Sequence, residues 1–271
     1  MSSILTNVGA MAALQSINQT SRSLTQTQNR ISTGLRVETA KDDSSTWAIA
    51  TTMRGDVSGM NAISDNLALS TSTVGVAASA AQSVTDLLNK IKEKVVAANG
   101  TGVDTTKIQS DIDQLVQQVD SVVNAAQFNG TNLVNGGSDV DLLASLDRSG
   151  STVSVSTITV NAADLTAATL GIDGIDVTSD AAGAVDTIES AITTATAAGA
   201  SFGSVQNRLD IQSDFIKSLS DALTSGVGSL VDANMEEESA KLSALQVQQQ
   251  LGVQALSIAN STPQSILTLF R

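Results

Sequence analysis

No cysteine and no histidine occur among the 271 residues, and tyrosine is missing as well. That removes disulfides, thiolate nucleophiles, imidazole acid/base chemistry and the usual zinc and haem ligands, and with them most enzyme mechanisms. The absence of cysteine carries no information on redox compartment. Aromatic residues make up 2% of the chain, so a core must be packed from Ala, Leu, Val and Ile. This favours long, closely packed helices over a β-sandwich, whose strands usually draw on aromatic side chains. Positive charge is also scarce: 14 Lys and Arg face 27 Asp and Glu, a net charge of −13. A nucleic-acid backbone is therefore an unfavourable partner, and so is an anionic membrane surface. No run of about 18 apolar residues suggests a membrane span. The first charged residue is Arg22, so the amino terminus lacks the basic segment and continuous apolar core of a cleaved secretory signal. If the protein leaves the cell, another route is expected.

What the chain does contain is helical periodicity. Ile4, Val8, Met11, Leu14, Ile17, Leu24 and Ile31 recur at threes, fours and sevens, which predicts a first amphipathic helix. STGLRVETAKDDSS (32–45) interrupts it at Gly34. A second helix is expected from about residue 46 to Ala98, ended by NGTG, and a third over Thr105–Ala126. FNGTNLVNGG (128–137) reads as a hairpin or loop. STVSVSTITV (151–160) alternates like a strand, and LGIDGIDV (170–177) reads as a short strand or loop. A helix restarting after Ser179 should stop at Gly199, and another should run from Ser204 to about Thr224. SGVGS (225–229) predicts a hinge at Gly226 and Gly228, because each glycine costs about 1 kcal/mol in a helix, and a last helix then begins near Leu230. The expected fold is mainly α, a long antiparallel helical rod with a small β-hairpin element. Residues 1–45 and 230–271 form paired arms, and 46–229 form a helical domain with a β region at about 128–180.

Charge is absent from Met1 to Ser21 and from Leu242 to Phe270, although 15% of the chain is charged. On a helical wheel Leu242, Leu245, Val253 and Leu256 share one face, while Val247, Leu251 and Ile258 lie nearly opposite. One stripe can be covered by the amino-terminal arm. The other needs further copies of the molecule, together with Ile266, Leu267, Leu269 and Phe270 at the carboxy-terminal end. Between the stripes run the uncharged polar residues Ser239, Ser243, Gln246, Gln250 and Ser257. Alone, the arms bury too little apolar surface to offset the entropy of ordering them, so they are expected to order on assembly.

NRISTGLRVETAKDDSSTWAIATTMR (29–54), FNGTNLVNG (128–136), SVQNRLD (204–210) and ANSTPQSILTLFR (259–271), in that order and at those distances from the ends, resemble the conserved blocks of bacterial flagellins. The resemblance implies a flagellar filament subunit, exported unfolded by the flagellar type III apparatus. It implies that the paired arms form an inner tube and the middle helices an outer tube, with Ser239, Ser243, Gln246, Gln250 and Ser257 facing the channel. Implied partners are other copies of the chain, sister flagellins, an export chaperone, the filament cap and hook–filament junction proteins, with no cofactor, metal, nucleic acid or membrane insertion. With about 40 residues between the conserved-type blocks, the chain is a short form expected to give a thin, smooth filament. In LNKIKEKVVA (88–97), Lys90, Lys92 and Lys94 occupy the patch that the vertebrate flagellin receptor reads, with Lys90 and Lys92 in place of arginines and Lys94 in place of leucine. Loss of the planar guanidinium fork predicts poor activation. A hook–filament junction protein of the same apparatus is the alternative reading, and a secreted binding module is the competing class.

Other polar groups have plainer expectations. Asp42 and Asp43 are read as a helix cap, and Glu236, Glu237 and Glu238 as first-turn carboxylates suited to the helix dipole. Arg30, Arg36, Arg54 and Arg208 are balanced between cross-subunit contacts and intrachain pairs. Trp47 is read as a packing anchor.

Overall fold

The structure is a computed structural model that describes residues 6–150 and 152–269, with side chains described as far as Ser261. Among the described residues there are six helices and two two-stranded antiparallel sheets. In chain order these are α1 (Val8–Thr33), α2 (Ser44–Ala98), α3 (Thr105–Ala125), β1 (Gln127–Phe128), β2 (Thr131–Asn132), β3 (Val140–Ser149), β4 (Thr152–Val160), α4 (Ala167–Leu170), α5 (Ala181–Val231) and α6 (Met235–Leu269). The chain divides into two compact units: Met1–Asp56 with Ala222–Arg271, and Val57–Asp221. Long helices α2 and α5 contribute residues to both.

In the 57–221 unit the core follows a strict alternation of threes and fours. Met60, Ile63, Leu67, Ser70, Val74, Ala77, Ala81, Val84, Leu88, Ile91, Val95 and Ala98 of α2 are all buried. A repeat of 3.5 residues keeps one seam of a helix facing its partner only if the pair supercoils. That partner is α5, antiparallel to α2. Asn61 accepts from the Ser220 hydroxyl, Ala81 lies against Gly199, Lys92 pairs with Glu189, and the Asn99 amide donates to Ala181 O. The seam is filled by small and aliphatic side chains, as the aromatic-poor composition requires.

α3 buries Ile112, Val119 and Val123. Its polar residues hold the segment that follows the hairpin: Gln109 Nε2 donates to Ile175 O at 2.8 Å while its Oε1 accepts from Val177 N at 2.9 Å, and Asp120 accepts from Ala167 N. The LGIDGIDV stretch is accordingly not a strand. From Gly171 on it is a loop; Leu170 at the end of α4 and Ile172, Ile175 and Val177 of the loop are buried, and its N–H groups go to backbone carbonyls as well as to Gln109. Asn129 and Gly130, at φ 49° and 83°, form the tight turn between β1 and β2, as expected of an Asn-Gly pair. β3 and β4 pair antiparallel with an irregularity between Leu143 and Ser145.

In the other unit the two chain breaks meet. Gly34, left-handed at φ 74°, ends α1 by donating its N–H to Arg30 O. The next residues join the α5 terminus: Arg36 N and Val37 N donate to Val231 O, and Ala233 N donates to Gly34 O. Val37, Ala50, Val227 and Val231 form a core cluster with Leu35, Trp47, Met53 and Leu230 packed on it. Trp47 is thus a packing residue.

Two expectations need correction here. α5 is continuous from Ala181 to Val231, so neither Gly199 nor the Gly226/Gly228 pair breaks it. Each glycine costs about 1 kcal/mol, whereas a fully buried Val or Phe returns about 1.5–3 kcal/mol, and Phe202, Val205, Val227 and Val231 flank these glycines. The break falls instead at 232–234. There Asn234 caps α6, its Oδ1 accepting from Glu236 N and Glu237 N, and Glu236, Glu237 and Glu238 sit in the positive first turn.

Candidate assembly surface

α1 and α6 pack against each other, and residue pairs along them fix the direction as antiparallel. Asn7 Nδ2 donates to Ala259 O at 2.7 Å, Ile17 lies against Gly252, and Arg30 Nη1 meets Glu238 Oε1 at 2.9 Å. Residues withdrawn from solvent recur by threes and fours on both helices. On α1 they are Ala10, Ala13, Ile17, Thr20, Leu24, Thr27 and Ile31; on α6 they are Glu238, Leu242, Leu245, Gln249, Gly252, Leu256 and Ala259. This is again a coiled-coil seam, here lined largely by small and polar side chains. A Cβ added at Gly252 would stand 2.9 Å from Ile17 Cγ1, so the absence of a side chain there permits the close approach.

The expected apolar stripes divide accordingly. Ile17, Leu24, Ile31, Leu242, Leu245 and Leu256 are half-buried at the seam, whereas Val8, Met11 and Leu14 are 71%, 61% and 50% exposed. On α6 Val247, Leu251 and Ile258 are exposed, as the second stripe predicts, and so is Val253. Val253 departs from its expected face because a 3.5-residue repeat passes through Gly252, one position earlier. Ser239, Ser243, Gln246, Gln250 and Ser257 are all exposed. Ile4 and Phe270 lie outside the described residues, as do the side chains of Ile266, Leu267 and Leu269. The seam positions Ala10, Ala13, Thr20 and Thr27 escaped the reading of the sequence; their signal is the spacing of small residues between Ile17, Leu24 and Ile31.

One ion pair sits in the seam. The Arg30 and Glu238 side chains are 22% and 9% exposed, and Arg30 Nε and Glu238 Oε2 are buried without a hydrogen-bond partner. Burial pushes the Glu238 carboxyl up. The Arg30 hydrogen bond and the Lys241 and Arg30 charges more than offset this, so its pKa lies below the ordinary Glu value. Arg36 Nη2 donates to Leu230 O at 2.6 Å. Asp43 is the cap of α2: it accepts from the hydroxyls and backbone N–H groups of Thr46 and Ser45, which hold its pKa down at about 2. Asp42 instead closes a turn with Thr39. Lys92 and Lys94 are tied to Glu189 and Asp111, while Lys90 is exposed. Among the described residues no group of three His, Cys, Asp or Glu is placed to hold a metal, and no helix is long and apolar enough to cross a membrane.

Fold and surface define a class: long-helix proteins whose two terminal segments pair antiparallel while keeping further apolar residues outward. Family comparison makes the class specific. Residues 4–139 match the bacterial flagellin N-terminal helical region, and residues 185–270 match the bacterial flagellin C-terminal helical region. Over its full length the chain is 45% identical to a flagellin of Brucella melitensis biotype 1, covering all of that protein. It is 42% identical to flagellin FljK of Caulobacter vibrioides, covering all of this chain and 99% of that one. A solved protein described as a flagellar hook-associated protein of Vibrio parahaemolyticus shares the fold alone, with 14% identity, a TM-score of 0.54, and coverage of 70% of this chain and 100% of that one. The chain belongs to the bacterial flagellin family, which is a family of structural proteins.

Proposed function

We propose that the chain is a subunit of the extracellular flagellar filament, polymerising with copies of itself for swimming motility and catalysing no reaction. The observation that carries this reading is the second apolar surface on an already paired helix: Val8, Met11 and Leu14 on α1 and Val247 and Leu251 on α6 stay exposed after the seam has formed. Apolar surface left exposed on both helices of one pair suits repeated, non-closing contacts, which generate open helical polymers. Residues 1–45 and 230–271 are then the inner-tube arms, 46–229 the outer-tube domain, and Gly34 the hinge beside the arm. Ser239, Ser243, Gln246, Gln250 and Ser257 face the channel, and the Ile266–Phe270 end joins the contacts between subunits. Export as an unfolded chain through the flagellar type III apparatus fits the uncharged arms, with a chaperone, the cap and hook–filament junction proteins as transient partners and sister flagellins as co-subunits. The test is seeded polymerisation of the purified chain, followed by electron microscopy. Long filaments are expected, and failure to elongate on any flagellar seed would refute the reading.

Lys90, Lys92 and Lys94 mark a degenerate receptor patch. With Lys92 and Lys94 already engaged in intrachain ion pairs, the protein should activate the vertebrate flagellin receptor weakly in a cell reporter assay. Full potency would contradict this.

A further inference from the structure

The arm unit carries a feature that apolar assembly does not use. Between α1 and the turn after it lies a cleft of about 490 Å³ whose lining includes Arg22, Arg30, Arg36 and Lys41 against only two carboxylates, Glu38 and Asp42. Four of the chain's 14 basic residues therefore converge on one cleft. The Asp42 Oδ2 accepts from both the N–H and the hydroxyl of Thr39 at 3.0 Å, which together with the Arg30 charge favour its ionised form, so Asp42 offsets part of the cleft's positive charge. Arg30 is committed to Glu238 through Nη1, yet its Nε is buried without a hydrogen-bond partner. Arg36 gives one hydrogen bond to a neutral carbonyl, Leu230 O, and forms no ion pair among the described residues. Among the described residues Arg22 and Lys41 make no hydrogen bond or ion pair, and both are exposed.

Charge is distributed unevenly between the two units. Residues 1–56 and 222–271 together hold seven basic and eight acidic side chains, a net charge of −1. Residues 57–221 hold seven basic and nineteen acidic side chains, a net charge of −12. A positive cleft on a near-neutral unit and a strongly acidic second unit are complementary between molecules. Of the four cations only Arg30 has an ion-pair partner among the described residues, Glu238; Arg22, Arg36 and Lys41 are exposed.

We propose that the Arg22/Arg30/Arg36/Lys41 cleft receives carboxylates from the 57–221 unit of a second copy of the chain. This rests on the filament reading and adds a polar lock to its apolar contacts. Such a contact fixes register and accelerates docking, and a close charge pair also adds net affinity, so it selects which neighbour is correct after the apolar faces have met. Guanidinium groups suit the role because their planar fork matches a carboxylate.

The test uses filaments grown from an equal mixture of ¹⁴N- and ¹⁵N-labelled full-length chains, treated with a zero-length carbodiimide that condenses an ammonium with a touching carboxylate. Mass spectrometry should find Lys41 joined to Asp or Glu of residues 57–221 in mixed-isotope peptides. Lys41 left unjoined, or joined only within one chain, overturns the proposal. As an independent arm, Arg22→Gln with Lys41→Gln should raise the critical concentration for elongation about tenfold, equivalent to 1.4 kcal/mol, and flatten its salt dependence at unchanged helix content. An unchanged critical concentration for the variant overturns the cleft contact while leaving the filament reading intact. A wild-type chain that does not elongate overturns both. Should the variant misfold, the crosslink in wild-type filaments decides alone.

Discussion

At the scale of single residues, Glu238 is the most constrained polar group in the arm pair. It is 6% exposed, shares one hydrogen bond with Arg30, and leaves Nε of Arg30 unsatisfied. A buried pair of this kind adds little net stability, because desolvation offsets the attraction, but removing one partner strands the other charge. Glu238→Ala should therefore destabilise the α1–α6 pairing by about 1–3 kcal/mol, read as a lower melting temperature of assembled filaments. The figure stays below that for fully buried pairs because Arg30 retains some contact with water. The pH dependence has a definite sign. Glu238 has its folded pKa below the ordinary Glu value of 4.5, so between the two values the unfolded chain binds more protons. The pair's contribution is fully present above pH 4.5 and is lost as pH falls through the lower folded value. In Glu238→Gln the acid-side slope of stability should be shallower; an unchanged slope would assign it to other carboxylates.

Among elements, two glycines in long helices test opposite physics. Gly199 lies inside α5 with its nearest neighbour, Ala81 Cβ, 3.7 Å from where a Cβ would stand, an ordinary contact. Gly199→Ala should stabilise the 57–221 unit by about 0.5–1 kcal/mol through helix propensity alone. Gly252 faces Ile17 at the arm seam with no such room, and Gly252→Leu should overpack it, at about 1–3 kcal/mol. Thermal unfolding followed by circular dichroism, on assembled filaments for the arm seam, separates the two, and a stabilised Gly252→Leu would refute the close-approach account. The same glycines show where sequence reading succeeds and fails. Helices α1, α2 and α3 were legible because apolar spacing and the STGLR and NGTG breaks agree. Gly199, Gly226 and Gly228 misled because a local cost of about 1 kcal/mol is smaller than the burial of flanking Phe202, Val227 and Val231. On α1 the large residues Val8, Met11 and Leu14 drew the predicted stripe, yet the seam runs through Ala10, Ala13 and Thr20. A helix covered on two sides offers two apolar faces, and residue size alone does not say which one the chain itself covers.

For the whole molecule, the two units differ in how completely each satisfies itself. The 57–221 unit buries long aliphatic seams on α2 and α5 within itself, whereas α1 and α6 meet through Ala, Thr, Gln and Gly alternating with only half-buried Ile17, Leu24, Ile31, Leu242, Leu245 and Leu256, and leave Val247 and Leu251 at 56% and 58% exposure. A seam of small, polar and half-buried aliphatic residues buries little area per residue, and backbone ordering costs about 1–2 kcal/mol per residue, so α1 and α6 depend on neighbours in a way the 57–221 unit does not. In dilute monomer, limited proteolysis should therefore digest α1 and α6 while a fragment close to residues 57–221 survives, and incorporation into filaments should protect all three. Val247→Ser with Leu251→Ser should abolish elongation and leave the melting of the surviving fragment unchanged, because neither side chain belongs to that unit. If α1 and α6 of the solitary chain resist protease as well as the 57–221 unit does, their order comes from their own seam, and the outward apolar face is then not what drives assembly.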